Sequence, residues 1–177
     1  MIKFLIVGAK SINKKNIVDI LLINEDLFNV ANIFTTKKLD KYEKYQYYLS
    51  KSELNICYKN NALLYVKTNE YISEGITLDS FYNSNLIFMN TEDFNNIPNK
   101  VFSLHENIVI VWIDSKTHDE NDIQKEICET KYLIEKIESD KLKYLYFLDT
   151  DPIEIMDVIV EYLKNPEKRE ELIEQYS

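Results

Sequence analysis

Apolar positions along the chain fall into two spacings, and these alternate. Unbroken runs at Lys3-Phe4-Leu5-Ile6-Val7 (ending at Gly8), Asn85-Leu86-Ile87-Phe88-Met89, Ile108-Val109-Ile110-Val111-Trp112-Ile113 and Tyr144-Leu145-Tyr146-Phe147-Leu148 predict strands buried on both faces of a sheet. Between them, helical spacing recurs at Ile17, Val18, Ile20, Leu21 and Leu22. It recurs again from Asp119 to Ser139, with Ile123, Ile127, Leu133, Ile134 and Ile137 apolar. Asp151-Pro152 opens a further helix with Pro in its first turn and Ile155, Val158, Ile159 and Leu163 inward; Asn165-Pro166 breaks it before a charged tail, Glu167 to Ser177. Val30 to Phe34 and Ala62 to Val66 read as shorter strands, and Ser50-Lys51-Ser52-Glu53 carries the N-cap and first-turn acid of a short helix ending near Cys57. The stretch from Lys37 to Lys51 is polar, and Ile72 to Phe81 is mixed. Strands alternating with helices predict an α/β fold with a parallel sheet covered on both faces.

Composition narrows the function classes. The chain has 177 residues, 45% of them hydrophobic and 29% charged, which is one globular domain rather than a disordered segment. The net charge of −9 opposes approach to a phosphate backbone or an anionic bilayer, so neither nucleic acid nor membrane is an expected partner. No apolar run reaches the roughly 18–20 residues that span a bilayer, and the N-terminus lacks a signal-peptide pattern. Cys57 and Cys128 stand far apart with no paired motif, so the expected compartment is the reducing cytoplasm. Glycine occurs only at Gly8 and Gly75, and arginine only at Arg169. Chemistry that needs several glycine turns or several guanidinium forks has little material here.

The loop after the first strand, Ile6-Val7-Gly8-Ala9-Lys10-Ser11-Ile12-Asn13-Lys14-Lys15, lies where a phosphate-binding loop belongs. Against the pattern G-x-x-x-x-G-K-[ST] it matches Gly8 and Lys14, places Asn13 at the second glycine, and places Lys15 at the magnesium-binding hydroxyl. In that pattern backbone N–H groups wrap the phosphates, the lysine neutralises their charge and the hydroxyl holds the metal. Asn tolerates positive φ better than most residues, which leaves the turn open to Asn13. Ser11 offers a hydroxyl on the wrong side of the loop for the metal. The bland reading is an ordinary strand-to-helix connection with solvated lysines.

The same register continues through Leu27-Phe28-Asn29-Val30, Thr35-Thr36-Lys37, Tyr47-Tyr48-Leu49-Ser50-Lys51-Ser52-Glu53-Leu54 and Lys59-Asn60-Asn61-Ala62-Leu63-Leu64-Tyr65-Val66. In order and spacing this resembles the guanylate kinase family, with its phosphate loop, T-T-R element, D-Y-x-F-[VS]-x-x-x-F element and F-[LI]-E-W segment. The resemblance extends more loosely through Ile108–Asp114 and Tyr144–Asp151. It implies a single domain over 1–177: a P-loop parallel core (1–31 and 85–177), a small β-rich GMP-binding-like subdomain inserted over about 32–84, and a lid after the Ile108–Ile113 strand. The family moves a phosphoryl group from ATP to GMP with Mg²⁺, chiefly by charge stabilisation.

Carried over residue by residue, the resemblance assigns Gly8, Asn13, Lys14 and Lys15 to the loop, with Lys14 as its lysine. Thr36 and Lys37 fall at the T-T-R element, Lys37 replacing the first phosphate-binding arginine without its bidentate fork. Asp40 falls near the second arginine and inverts its charge. Tyr47 matches the tyrosine on the GMP phosphate, and Tyr65 replaces the glutamate that reads guanine. Phe88-Met89-Asn90-Thr91 stands where the family has an acidic strand end, and Lys116 to Glu129 contains no arginine. Arginines of that kind are worth about 10³–10⁵ in rate, so the resemblance implies a degenerate member acting as a binding or interaction module for an unidentified protein or nucleotide. The alternative is a divergent kinase using ATP and Mg²⁺, with Lys14, Lys37, Lys38 and Tyr47 around the phosphates and Asp114 as a weak metal candidate. A plain interaction protein is the third reading. Of the other chemistry-bearing residues, Asp149-Thr150-Asp151 reads chiefly as a helix cap, His105 and His118-Asp119 as solvent-exposed, the tyrosines at 42, 45, 47 and 48 as subdomain packing with Tyr47 the ligand candidate, and Glu167 to Glu174 as a solvated helix face.

Overall fold

The four long apolar runs become β1 (Lys3–Gly8), β6 (Leu86–Asn90), β7 (Ile108–Asp114) and β8 (Lys143–Leu148) of the computed structural model, which describes every residue except 10, 11, 25, 40–43, 104–106, 116–122 and 140. Expectations placed on Ser11, Asp40, Tyr42, His105, His118 and Asp119, and on the first part of the 116–129 stretch, lie outside the described residues. These strands form one parallel sheet in the order β6-β1-β7-β8. All six residues of β1 are buried, as a central strand covered on both faces must be. Alternate β1 side chains feed two cores. Phe4 and Ile6 pack with Val18, Leu21, Ile155 and Ile159 from helices α1 (Lys14–Leu21) and α7 (Pro152–Lys164). Leu5 and Val7 pack with Phe94 and Leu133 from α4 (Thr91–Asn95) and α6 (Ile123–Ser139).

A second, smaller sheet of order β3-β2-β5-β4 is built from β2 (Ile33–Thr35), β3 (Gln46–Tyr48), β4 (Leu63–Asn69) and β5 (Ile72–Thr77). It is mixed: β2 runs parallel to β3 and antiparallel to β5. The Val30–Phe34 strand expected from sequence divides between the two sheets. Val30 makes a lone parallel bridge to Leu86, while the ladder of β2 starts at Ile33. β3 lies inside the polar stretch, where no alternation announces it. The mixed stretch after Ile72 resolves into β5 and α3 (Leu78–Tyr82).

Caps follow the sequence closely. Ser50 and Glu53 close a capping box on α2 (Lys51–Lys59). Asp151 caps α7, its carboxylate accepting from Ile153 N at 2.8 Å. The charged tail is more than a solvated face: α8 (Arg169–Tyr176) buries Leu172 and lays Tyr176 against Phe147. The α7 face turns Tyr162 fully inward, with Leu163 only partly buried. Lys3 is buried too, its ammonium donating to the carbonyls of Phe81, Tyr82 and Ser84 at the end of α3. Lys136 does the same for the carbonyls of Phe94, Asn95 and Ile97 after α4, and Arg169 for Tyr162 and Leu163 at the end of α7.

Candidate functional site

The loop from β1 to α1 folds onto its own lysine. Lys14 is buried, and its Nζ donates to the carbonyls of Ala9 at 2.6 Å, Gly8 at 3.2 Å and Ile12 at 3.2 Å. The amides of Ile12 and Lys14 turn inward as well, donating to Ala9 O and Ile12 O. Asn13 sits at φ −78°, so this position needs no positive φ; its side chain instead caps α1 by accepting from Asn16 N. Gly8 is required by space: a Cβ there would lie 2.7 Å from the Ile113 carbonyl of β7. Burial pushes the Lys14 amine down to about 8, against a pull upward from Asp93, with Lys67 adding to the fall.

Lys14 borders a cleft of about 420 Å³ between the two sheets, within the range typical of small-molecule sites. Its floor is the carboxyl end of β6 (Phe88, Met89, Asn90) with Asp93 of α4; one wall is the loop, Ile12 to Lys15. The small sheet supplies the other wall: Ile33, Gln46, Tyr65, Lys67 and Glu74. Tyr65 is buried, and burial next to Asp93 and Glu74 holds its phenol protonated far above the ordinary tyrosine range. Asp93 is also buried and pairs through Oδ2 with Lys67 Nζ at 3.0 Å, with the Asn90 amide at 3.5 Å; Oδ1 has no hydrogen-bond partner.

The other candidates disperse. Tyr47 points away from the cleft and lines a separate hollow with Asn32, Thr77, Asp79 and Ser80, while its neighbour Gln46 faces the cleft, as strand alternation requires. Thr36 is used in the small sheet, its hydroxyl accepting from Ser73 N at 2.8 Å. Lys37 is exposed on the following loop and is not among the cleft's lining. Asp114 accepts from the Ser115 amide at 2.9 Å and from the Tyr146 hydroxyl at 3.4 Å. It lines a third hollow, of about 300 Å³, with Asn13, Ser115, Asp149 and Thr150. Among the described residues no group of three or more His, Cys, Asp or Glu could hold a metal ion. Asp93, Lys67, Gln46 and Glu74 were not singled out by sequence. The detectable signal was small: Asn90-Thr91-Glu92-Asp93 has the look of a helix start directly after a buried strand.

Among the described residues, two polar contacts tie the sheets together. Lys67–Asp93 joins β4 to α4. Tyr45, just before β3, donates its hydroxyl to Asp19 of α1 at 2.6 Å, with Lys44 on the same oxygen at 2.7 Å. Tyr45 holds a positive φ of 66°, and its buried ring meets Phe88 edge-on at 5.7 Å. For tyrosine that backbone is uncommon and persists because the surrounding contacts fix it.

The low value at Lys14 sets a pH test. Between about 8 in the folded state and 10.5 in the unfolded chain, the unfolded state binds more protons, so stability rises with pH across that window. Urea unfolding of the wild type relative to Lys14→Met is expected to improve from pH 8 to 10, by at most about 1.4 kcal/mol per unit. A flat difference would show that the three carbonyls hold the ammonium at its ordinary value.

No protein-family model matches the chain, and no curated protein matches its sequence. Among solved structures, the guanylate kinase from Anaplasma phagocytophilum matches with a TM-score of 0.57 at 14% identity, over 94% of this chain and 86% of that one. No helix among the described residues is long and apolar enough to cross a membrane. A parallel four-stranded sheet with a separate small mixed sheet beside it, read first from the order and spacing of residues, is a guanylate kinase-like fold.

Proposed function

We propose that this chain is a binding module on a guanylate kinase-like scaffold, without phosphoryl-transfer activity. The observation that carries this reading is the loop around Lys14. A phosphate loop works by aiming N–H groups and an ammonium at the anion. Here the ammonium and two of the loop amides are taken up by the loop's own carbonyls, and those carbonyl oxygens repel an incoming phosphate. Lys15 occupies the metal-hydroxyl position, so the donor set does not suit a magnesium–triphosphate group. Arg169, the chain's single arginine, is committed to the carbonyls of α7. Lys37 and Tyr47 lie outside the cleft that holds Lys14. The inserted small-sheet segment, about 32–84, then serves as one wall of a binding cleft.

A coupled assay with ATP, Mg²⁺ and each of GMP, dGMP, AMP and dTMP is expected to give no turnover above background. Steady turnover that disappears in Lys14→Ala would establish the divergent kinase instead, because it would require the loop to release its lysine.

A further inference from the structure

β8 is the outer strand of the parallel sheet, and among the described residues no strand pairs with its far side. The Asp149 amide donates to the Asp114 carbonyl of β7 at 3.0 Å, so by alternation Leu145 and Phe147 also turn their N–H and C=O groups toward β7. Tyr144, Tyr146 and Leu148 therefore turn theirs outward. Burial agrees: Leu145 and Phe147 are 0% and 1% exposed, whereas Leu148 is 39% exposed and the two tyrosines are partly buried. Sheet edges are usually blunted by proline, a bulge or a lysine in the middle of the strand. β8 reads Lys-Tyr-Leu-Tyr-Phe-Leu, with its one lysine at the first position, and it follows β7 without a register shift. Such an edge is a template for another strand.

Charge selects the occupant. Lys141 and Lys143 stand at one end of β8 and Asp149 and Asp151 at the other, all four exposed. A parallel copy would set like charges side by side. An antiparallel copy, with the two-fold axis at Tyr146, sets Lys143 of each copy against Asp149 of the other and Lys141 against Asp151. The same axis places Tyr146 opposite itself and Tyr144 opposite Leu148, which are the outward-facing residues able to exchange backbone hydrogen bonds. Moving the axis to Leu145 would leave Lys143 opposite Phe147. Within one chain Lys143 also donates to Glu170 at 3.0 Å and Asp149 accepts from the Ser115 hydroxyl at 2.8 Å, contacts that leave both side chains at the surface. Tyr144 and Tyr146 share a sheet face with Trp112, whose ring meets Tyr146 at 4.6 Å, so the pairing would join two aromatic patches across the axis.

We propose that β8 is a self-association edge, through which two copies of this chain pair β8 to β8 antiparallel and join their four-stranded sheets into one. The contact does not depend on what the cleft binds. A six-residue edge is small beside a standard interface of about 800 Å² per partner, so the dimer exchanges with monomer at micromolar concentrations. The net charge of −9 per copy adds repulsion, which salt at about 0.15 M screens beyond roughly 8 Å.

Sedimentation velocity on the full chain in physiological salt, from micromolar to millimolar concentration, tests this. The wild type is expected to shift from one to two chain masses across that range. Lys143→Glu alone and Asp149→Lys alone each set like charges across the axis twice, and each should raise the dimer Kd at least about tenfold. An equimolar mixture of the two variants holds one native and one swapped pair, and should dimerise with a Kd near that of the wild type. Mixing would not rescue a role confined to one chain. Thermal melts check that each variant is folded; Leu148→Lys, which sets a charge against Tyr144 of the other copy, serves as the second disrupting variant if Asp149→Lys does not fold. A wild type that stays monomeric throughout overturns the proposal, as does a dimer unmoved by the variants or a mixture that remains monomeric.

Discussion

Gly75→Ala is expected to destabilise the protein by about 3 kcal/mol, the upper end for overpacking where backbone has to move. A Cβ at this position would lie 2.2 Å from the Tyr65 carbonyl, 3.0 Å from Val66 Cα and 3.1 Å from the Phe34 ring. Two of those three atoms are backbone, which cannot rotate aside. The cause is local: Gly75 pairs with Phe34 on one side and Val66 on the other, and the β4–β5 register shifts between Leu63 and Tyr65. The fully buried Phe34 ring packs into the space a side chain would fill. In a chain of this size the melting midpoint should drop by roughly 6–12 °C. Because Tyr65 and Lys67 sit on β4, the cleft wall should deform with the sheet. A drop below about 2 °C would mean that β4 shifts freely at the bulge.

Lys67→Met is expected to cost about 3 kcal/mol, the lower end for breaking a buried ion pair, because Lys67 is partly exposed while Asp93 is not. The loss comes from the partner left behind. Without Lys67, the Asp93 carboxylate keeps one long contact to the Asn90 amide, and Oδ1 already has none. The double variant Lys67→Met/Asp93→Leu should recover most of the stability, since replacing both charges removes the stranded anion. Denaturant unfolding of the wild type, the single and the double variant reads this directly. A single variant within about 0.5 kcal/mol of wild type would show that the pair is solvated and contributes little.

How much of this was legible in sequence follows from where each signal resides. The parallel sheet was readable because a strand covered on both faces has to be apolar throughout, as Phe4–Val7 and Ile108–Ile113 are. The α2 and α7 starts were readable because capping chemistry is local to Ser50–Glu53 and Asp151–Pro152. The short strand β3 was not, since Gln46–Tyr48 carries no alternating pattern of its own, and the Val30–Phe34 run announced a strand without showing that Val30 bridges to β6 while the ladder of β2 starts at Ile33. Of the residues the resemblance assigns, Asn13, Lys14, Lys15 and Tyr65 line the cleft. Tyr47 lines a different hollow, because a strand sends neighbouring residues to opposite faces and register alone does not say which face is inward. Motif register missed Asp93 and Lys67, whose meaning exists only as a pair 26 residues apart. The loop's self-satisfaction was likewise invisible, since carbonyl direction is a property of backbone path rather than residue type.

The two ties from the small sheet, Tyr45 to Asp19 and Lys67 to Asp93, fasten opposite ends of one wall. A hinge needs one loose end, and among the described residues both edges of this wall are tied. On the binding-module reading, these ties predict a mouth of fixed width, so that a ligand's girth rather than a swing of the small sheet sets what enters. Uptake should bring little change in overall hydrodynamic radius.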